Sequence, residues 1–326
     1  MASILPLILV MSAAEPAPAA PMRPDSVMAD TLSAARADTA SGARLVARGI
    51  LTPPREGHGE VVDPAGIAAD AFGRIWLTDS QLHRVQRFDR KGEWLGETGG
   101  LGSDVGQLRR PGSVALLGAA NMAVLDRENR RVLVYDLFGR LQGVRLDLAN
   151  EDLERQTGRV DPTWMATDRG GALFIADPAR ERLLIFDTSG LLIRIVGSFG
   201  ARVGSFRGLW AVAAAPHGEL IVTERLNARV QRLDANGRPI GSWPLPIKAK
   251  GVGGLPVAVD ESGRVAVADE SSGTVWVFDA QGRRLIEQTG LSRPRALVFA
   301  PDGTLLVAEA GPAQVRRFEL SVPKEP

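Results

Sequence analysis

The sequence predicts an all-β fold, a six-bladed β-propeller of four-stranded antiparallel blades in which an N-terminal strand closes the last blade. Three observations predict it. An acidic residue ends an apolar, strand-like segment six times, at intervals of 47, 51, 47, 45 and 40 residues. A second acid follows each of these anchors ten residues later, directly after an aromatic residue or leucine. The 36 glycines and 21 prolines indicate many turns rather than long helices.

Length and charge narrow the class of protein. A propeller of 326 residues can form one domain, so the length does not require a second one. The 39 basic and 38 acidic side chains give a net charge of +1, which provides no broad field to attract nucleic acid. The absence of cysteine excludes disulfides, a lipidated cysteine, thiolate metal sites and cysteine nucleophiles.

The N-terminus has the pattern of an export signal. Residues 1–14 contain a short apolar stretch, Ile4–Val10, and then the small residues Ser12-Ala13-Ala14, so we predict cleavage before Glu15. The apolar stretch is shorter than the roughly 20 residues that span a bilayer. Residues 15–42 are rich in alanine and proline and are predicted to form a disordered tether. We therefore expect a periplasmic or secreted protein without a transmembrane span in its mature chain.

The first repeat shows how one blade is built. Its sequence predicts four strands: Gly66–Asp70, Arg74–Asp79, Arg84–Asp89 and Trp94–Glu97. Tight turns at Phe72-Gly73 and Lys91-Gly92 connect strands within this set. A lone four-stranded meander exposes two apolar faces, and radial stacking of six copies covers both of them. A linear solenoid would also cover them, but it would need caps, and none is visible.

The two ends of the chain predict how the ring closes. The sixth copy stops at Glu319-Leu320 without a fourth strand, and residues 321–326 form a C-terminal tail. The segment Ala43–Leu51 lies upstream of the first copy and has no inner strands of its own. We expect it to supply the missing outer strand, so that the propeller covers residues 43–320.

These motifs resemble a known repeat. The pattern Pro64-x-Gly-Ile-Ala, Gly73-Arg-Ile-Trp-Leu-Thr-Asp, His83-Arg-Val-Gln-Arg-Phe-Asp and Gly92, with the linker Gly100–Pro111, resembles the NHL repeat. The fourth, fifth and sixth copies depart from it at Leu226-Asn-Ala, Ser271-Ser-Gly and Gly311-Pro-Ala. The resemblance implies a six-bladed toroid. The family includes protein-binding scaffolds, RNA-binding modules and a few lyases, so the resemblance implies no single activity.

The six anchors form a predicted acidic ring on one face: Asp79, Asp126, Asp177, Glu224, Asp269 and Glu309. A ring of carboxylates can bind metal, or it can hold the structure together. Arginine stands five residues after four of the anchors, at Arg84, Arg131, Arg182 and Arg229. This spacing suits ion pairs that recur with the fold, so we favour a structural role.

The histidines test for a catalytic metal, because the amidating lyases that resemble this fold use histidine ligands in the channel. His58, His83 and His217 occupy unrelated positions in the repeats, so a shared three-histidine site is not predicted. A lactonase-like calcium site would need acids or amides at the starts of the inner strands, where they are absent. We predict no catalytic residue, no metal and no other cofactor.

The starts of the inner strands and the loops beside them hold the predicted binding residues: Trp164, Trp210, Arg207, Arg293, Arg295, Arg127 and Arg225. We expect them at the mouth of the channel. Tryptophan and arginine are enriched in binding hot spots. The alternative is that the tryptophans fill the channel as part of the core.

Together these features favour a non-enzymatic, extracytoplasmic binding or scaffold protein. One face of the propeller would dock a protein partner or the extracytoplasmic face of a membrane complex. The alternative is a metal-dependent lyase or hydrolase that acts on a small molecule in the central channel. The metal content of the purified protein separates the two.

Overall fold

The computed structural model describes residues 43–51, 53, 56–247 and 251–321. In these residues, 24 strands form six four-stranded antiparallel sheets arranged in a ring, which confirms the predicted propeller. The predicted signal peptide and tether, residues 1–42, lie outside the described residues, as does all of the C-terminal tail except Ser321. Within the described part of the chain, no helix has the length and apolar character needed to cross a membrane.

Strands β1 to β24 are numbered in chain order, and blades one to six in the order of their innermost strands. The innermost strands are β2 Pro64–Ala69, β6 Pro111–Leu117, β10 Trp164–Thr167, β14 Leu209–Ala214, β18 Val257–Val259 and β22 Pro294–Phe299. The second strands are β3 Ile75–Asp79, β7 Asn121–Asp126, β11 Leu173–Asp177, β15 Leu220–Glu224, β19 Val265–Asp269 and β23 Leu305–Glu309. The third strands are β4 Arg84–Phe88, β8 Arg131–Asp136, β12 Arg182–Phe186, β16 Arg229–Leu233, β20 Thr274–Phe278 and β24 Gln314–Ser321. The outer strands are β5 Trp94–Gly99, β9 Leu141–Asp147, β13 Leu192–Val196, β17 Pro239–Pro244, β21 Arg284–Gln288 and β1 Arg44–Leu51.

The second acid of each repeat explains the outer hairpins. In blade one, Asp89 follows β4, and its carboxylate accepts hydrogen bonds from the backbone N–H groups of Lys91 and Glu93, both at 2.8 Å. Gly92 has φ +100°, a conformation that glycine adopts without steric cost. The repeat therefore encodes a tight turn between its third and outer strands.

The core lies between the blades. Each pair of neighbouring blades shares one cluster of buried apolar side chains, six clusters in all among the described residues. Trp76 of β3 is fully buried in the cluster between blades one and two, beside Val85 and Tyr135. Because both faces of every sheet are covered by a neighbour, a single blade has no core of its own.

The ring closes as predicted. β1 pairs antiparallel with β24, from Arg44 opposite Ser321 to Leu51 opposite Val315. The sixth blade is therefore built from both ends of the chain. Leu45 is buried in the cluster between blades five and six, so β1 contributes side-chain packing as well as backbone pairing.

A short helix, α1 at Glu151–Thr157, was not predicted from the sequence. It lies in the linker between blades two and three and accounts for the longest interval between anchors, 51 residues. The Asn150 side chain accepts from the N–H groups of Asp152 and Leu153 and caps its first turn. Leu153 packs against the apolar cluster between the same two blades, which anchors the insertion.

Candidate functional site

The propeller has two ends, which we name by the direction of the innermost strands. The upper face is where those strands begin; it carries the linkers between blades and the turns between second and third strands. The lower face is where they end, and it carries the remaining hairpins. All residues predicted for the acidic ring and for binding belong to the upper face.

The six ring carboxylates are buried, with exposed fractions between 0% and 2%. Five of them accept a hydrogen bond from a backbone N–H of the linker that enters their own blade, donated by Val62, Arg109, Asp161, Arg207 and Ser292. In blade five the neighbouring Glu270 takes this role, accepting from Gly254 N at 2.8 Å. The acids thus tie each linker to its blade, a use of buried carboxylates that repeats with the fold.

Three of the four arginines expected to pair with the ring do so, at Nε–carboxylate distances of 2.6 to 2.9 Å: Arg131, Arg182 and Arg229. Arg84 does not, and the expectation was wrong there. The Asp79 carboxylate already accepts from several backbone groups, including Gln81 N at 2.9 Å and Leu82 N at 2.8 Å. Arg84 instead binds Glu97 of the outer strand at 3.0 Å.

Two equivalent linkers stand out on the upper face. We call them the twin linkers, residues 100–108 after blade one and residues 198–206 after blade three. The Arg131 guanidinium donates to three carbonyls of the first linker, each at 2.9 Å. Arg229 does the same for the second linker at 2.8 to 2.9 Å. One guanidinium, itself fixed by a ring carboxylate, therefore holds the backbone of each linker rigidly.

The twin linkers expose large apolar side chains at matching positions. Leu101 and Val105 are 64% and 77% exposed on the first linker, and Phe199 and Val203 are 73% and 52% exposed on the second. The Arg207 guanidinium lies 5.7 Å from the centre of the Phe199 ring. Sequence reasoning missed these four apolar residues, although the Gly-rich linker motif that carries them was visible.

Of the two predicted tryptophans, Trp164 lines the channel, whereas Trp210 packs between blades four and five. Trp164 packs against the apolar clusters between blades three and four, four and five, and six and one. It therefore reaches across the axis and fills the upper part of the channel. Trp210 packs into the cluster between blades four and five. This placement matches the alternative in which the tryptophans form part of the core.

Three of the predicted arginines lie at or just before the starts of the innermost strands β14 and β22, on the upper face. Arg207 and Arg293 are exposed, and Arg293 lies 3.3 Å from Glu270. Arg295, the second residue of the innermost strand β22, is half-buried and forms an ion pair with Asp63 at 2.6 Å.

Arg225 is placed differently from the expectation. It is only 6% exposed, and it pairs with the ring residue Asp269 at 2.5 Å. It also donates to the carbonyls of Gly253 at 2.8 Å and Gly254 at 3.1 Å. Asp269 of blade five has no arginine of its own, and Arg225 takes that place. The hydrogen-bond donors of Arg225 are therefore used within the protein, so Arg225 links blades four and five and is not a docking group.

The remaining predicted residue, Arg127, lines a cavity of about 510 Å³ on the upper face. Arg110, Arg130 and Arg159 line the same cavity, together with Glu128 and Asp161. The cavity is thus lined by more guanidinium groups than carboxylates.

The lower half of the channel is an apolar well of about 510 Å³, lined by the innermost strands of all six blades. Trp164 lies at its inner end, and alanine and valine side chains such as Ala213 and Val257 make up much of its wall. An ion pair between Arg169 of blade three and Glu261 of blade five spans its mouth. An apolar well of this size can accommodate a small molecule.

The lower face also carries an exposed aromatic pair. Phe72 and Phe138 are 71% and 68% exposed. The Arg74 guanidinium lies 5.1 Å from the centre of the Phe72 ring and 6.0 Å from the centre of the Phe138 ring. One cation therefore contacts the exposed aromatic side chains of both blade one and blade two.

The histidines do not converge. The Nδ1 atom of His83 accepts from Arg110 N at 2.9 Å on the upper face, whereas the His58 ring packs against Trp94 with 5.1 Å between ring centres. His217 is exposed in a hairpin of the lower face. Among the described residues, no group of three or more histidine, aspartate or glutamate side chains is arranged to hold a metal ion.

No protein-family model matches this chain. The brain tumor protein of Drosophila melanogaster is 27% identical over 142 residues, which are 43% of this chain and 13% of that protein. The human E3 ubiquitin-protein ligase NHLRC1 is 24% identical over 283 residues, 81% of this chain and 69% of that protein. This chain is an NHL-repeat β-propeller. The aligned part of it spans only a small share of the Drosophila protein.

A solved structure shares the fold of this NHL-repeat propeller. Regucalcin, a calcium-binding protein from Agrobacterium tumefaciens, superimposes with a TM-score of 0.60 at 15% identity, covering 86% of this chain and 96% of that one. At this identity the similarity concerns the fold alone. What the NHL-repeat propeller binds must therefore be argued from its own surfaces.

Proposed function

We propose that this NHL-repeat propeller is a non-enzymatic, extracytoplasmic binding protein that docks a protein partner, or an extracytoplasmic face of a membrane complex, on its upper face. The observation that carries this proposal is the pair of twin linkers, which expose matching apolar side chains from a backbone fixed by Arg131 and Arg229.

Fixed exposure of this kind favours binding. An exposed apolar side chain loses little conformational freedom on association when its backbone is already held in place. Phe199 with Arg207 beside it combines an aromatic group and an arginine, two residue types enriched in hot spots. Leu101 and Val105 lie on one linker and Phe199 and Val203 on the other, so each twin linker presents two apolar side chains on the upper face. The human relative is an E3 ubiquitin-protein ligase, an activity directed at proteins, which supports a protein partner.

The docking prediction is tested with the double variant Leu101→Ser/Phe199→Ser. Each change removes one exposed anchor, and losses of about 1–2 kcal/mol per hot-spot side chain would weaken capture of the partner at least tenfold. The measurement is pull-down from the native cell envelope with purified full-length protein, followed by titration of the captured partner. Stability should stay within about 0.5 kcal/mol, because both side chains are exposed.

A matched control is Ile193→Ser on the outer strand β13, which is 56% exposed on the side of the ring. It should capture the partner as wild type does. The twin linkers are not the docking site if the double variant captures the partner as well as wild type does. The same holds if Ile193→Ser loses as much capture as the double variant.

Export is the second part of the proposal and is supported by residues 1–14 of the sequence. Expression of the full chain with a C-terminal tag, followed by cell fractionation and N-terminal sequencing, tests it. We expect the protein outside the cytoplasm with Glu15 as its first residue. A cytoplasmic protein that retains its first residues would contradict the prediction.

The apolar well favours a second candidate, a metal-dependent lyase or hydrolase that acts on a small molecule in the channel. The well has the volume and the apolar lining of a ligand site. Elemental analysis of the purified protein distinguishes the candidates. Stoichiometric zinc or calcium in the purified protein would favour the metal-dependent enzyme over the binding protein.

A further inference from the structure

Arg127 differs from the other three arginines that line its cavity. It follows β7 at the turn to β8 and is half-buried. Among the described residues its side chain makes one hydrogen bond, from Nε to the carbonyl oxygen of Pro162 at 3.4 Å. Among the described residues, no carboxylate lies within ion-pair distance of Arg127, and its two terminal nitrogens have no protein acceptor. The residue lines the cavity.

The neighbouring arginines each have an acid. Arg110 lies 3.7 Å from Glu128, and Arg295 lies 2.6 Å from Asp63. Arg159, which also lines the cavity, forms an ion pair with Asp161 at 2.8 Å. The acids near the cavity are therefore already paired with other arginines, and Arg127 is left over.

The surroundings of Arg127 disfavour its positive charge. Burial lowers the pKa of Arg127, and the charges of Arg110 and Arg295 lower it further, while only Glu128 opposes them. A guanidinium is not deprotonated in practice, so the free protein carries an unfavourable positive charge at this position. An anion that enters the cavity removes the penalty and completes the hydrogen bonds.

A purely structural role does not explain this arrangement. The long Nε contact with one neutral carbonyl is weak, and it uses one of five N–H donors. The cavity beside the terminal nitrogens, about 510 Å³, is far larger than a single carboxylate or phosphate group requires. The planar fork of arginine matches both groups with two parallel hydrogen bonds.

We propose that the cavity at Arg127 is an oxyanion-binding site, in which the Arg127 guanidinium holds a carboxylate or phosphate group with Arg110 and Arg159 on either side. The inference deepens the proposed function and rests on it for the source of the group, because the cavity opens on the face that docks the partner. An acidic group of the partner would then enter this cavity while its apolar surface meets the twin linkers.

The test uses the full-length protein, with inorganic phosphate, acetate and a short acidic peptide as probes. Each is titrated at constant ionic strength and followed by isothermal titration calorimetry and by the melting temperature. Wild type should bind at least one probe, and Arg127→Gln should weaken that binding about tenfold or more, the loss expected for one charge-assisted contact. Arg127→Lys keeps the charge but loses the fork, and its affinity should fall between the two.

The matched control is Arg109→Gln, which removes the same charge from the same face at a side chain that is 51% exposed and paired with Glu128. Its affinity for the probes should stay within about twofold of wild type, since an exposed, screened charge contributes little. A second readout concerns stability: without added anion, Arg127→Gln should melt no lower than wild type, whereas removal of a structural arginine would lower the melting temperature.

The outcomes separate the oxyanion site from the docking proposal. Stronger binding of the peptide than of phosphate assigns the site to the partner, and the reverse assigns it to a free anion. If no probe binds wild type, or if Arg127→Gln binds as well as wild type, the oxyanion site is wrong. The docking proposal still stands in that case if the Leu101→Ser/Phe199→Ser variant loses its partner.

Discussion

Deletion of Arg44–Leu51 is expected to open the ring and to lower the melting temperature by at least roughly 6–12 °C. This range corresponds to about 3 kcal/mol, the order of the loss when one buried leucine is removed from a core. The deletion removes more than that, because it takes away the whole pairing with β24 as well as Leu45. Differential scanning calorimetry of the variant and wild type measures the effect.

The exposed edge gives the deletion a second consequence. Without β1, the N–H and C=O groups along the outer side of β24 have no partner, and an open edge is a template for pairing with another chain. We therefore expect dimers or larger species in size-exclusion chromatography. Addition of a synthetic peptide of residues 43–51 should restore the elution volume of wild type and raise the melting temperature with concentration, because it binds the folded state.

Two point variants show which part of β1 matters. Leu45→Ala should lower the free energy of unfolding by about 2–5 kcal/mol, since Leu45 packs between blades five and six. Ile50→Ala, at a position that is 58% exposed on the same strand, should change it by less than about 0.5 kcal/mol. A deletion variant that elutes and melts like wild type would show that the ring does not depend on the pairing of β1 with β24.

The closure could be predicted from the sequence because it depends on counting. The sixth copy lacks an outer strand, and the segment before the first copy has no inner strands. The leading segment can therefore supply the missing outer strand, and β1 occupies that position. Glycines and acids at fixed spacings also locate the turns, since a turn depends on a few neighbouring residues. The helix α1 escaped prediction because its seven residues fall in a linker with no repeat to compare.

The site was less predictable because it depends on which distant groups meet. The positions of Arg127 and Arg225 in their repeats are equivalent, each directly after the second strand. Arg225 reaches Asp269 of the next blade, which has no arginine five residues later. Asp177, in the blade after Arg127, is already bound by Arg182, so Arg127 finds no acid. One difference in the next repeat thus decides whether an arginine is buried in a pair or left for a ligand.

The buried pair of Arg225 and Asp269 provides the second large prediction. Asp269→Asn should lower the free energy of unfolding by about 3–5 kcal/mol, because it leaves the Arg225 guanidinium buried without a counter-charge. Chemical denaturation with urea measures this loss. The matched control is Asp152→Asn, which breaks an exposed pair with Arg155 and should cost no more than about 1 kcal/mol.

The pH dependence of the same variant tests the electrostatic cause. Burial alone would raise the pKa of Asp269, but hydrogen bonds from Arg225 and Ser271 outweigh it and hold the pKa below its ordinary value of 3.8. A depressed pKa stabilises the folded state fully above the unfolded value, and this stabilisation is lost as the pH falls through the folded pKa. The difference in stability between wild type and Asp269→Asn should therefore be constant near neutral pH and shrink below about pH 4. A difference that stays the same into strong acid would mean that packing around Asp269, rather than its charge, links blades four and five.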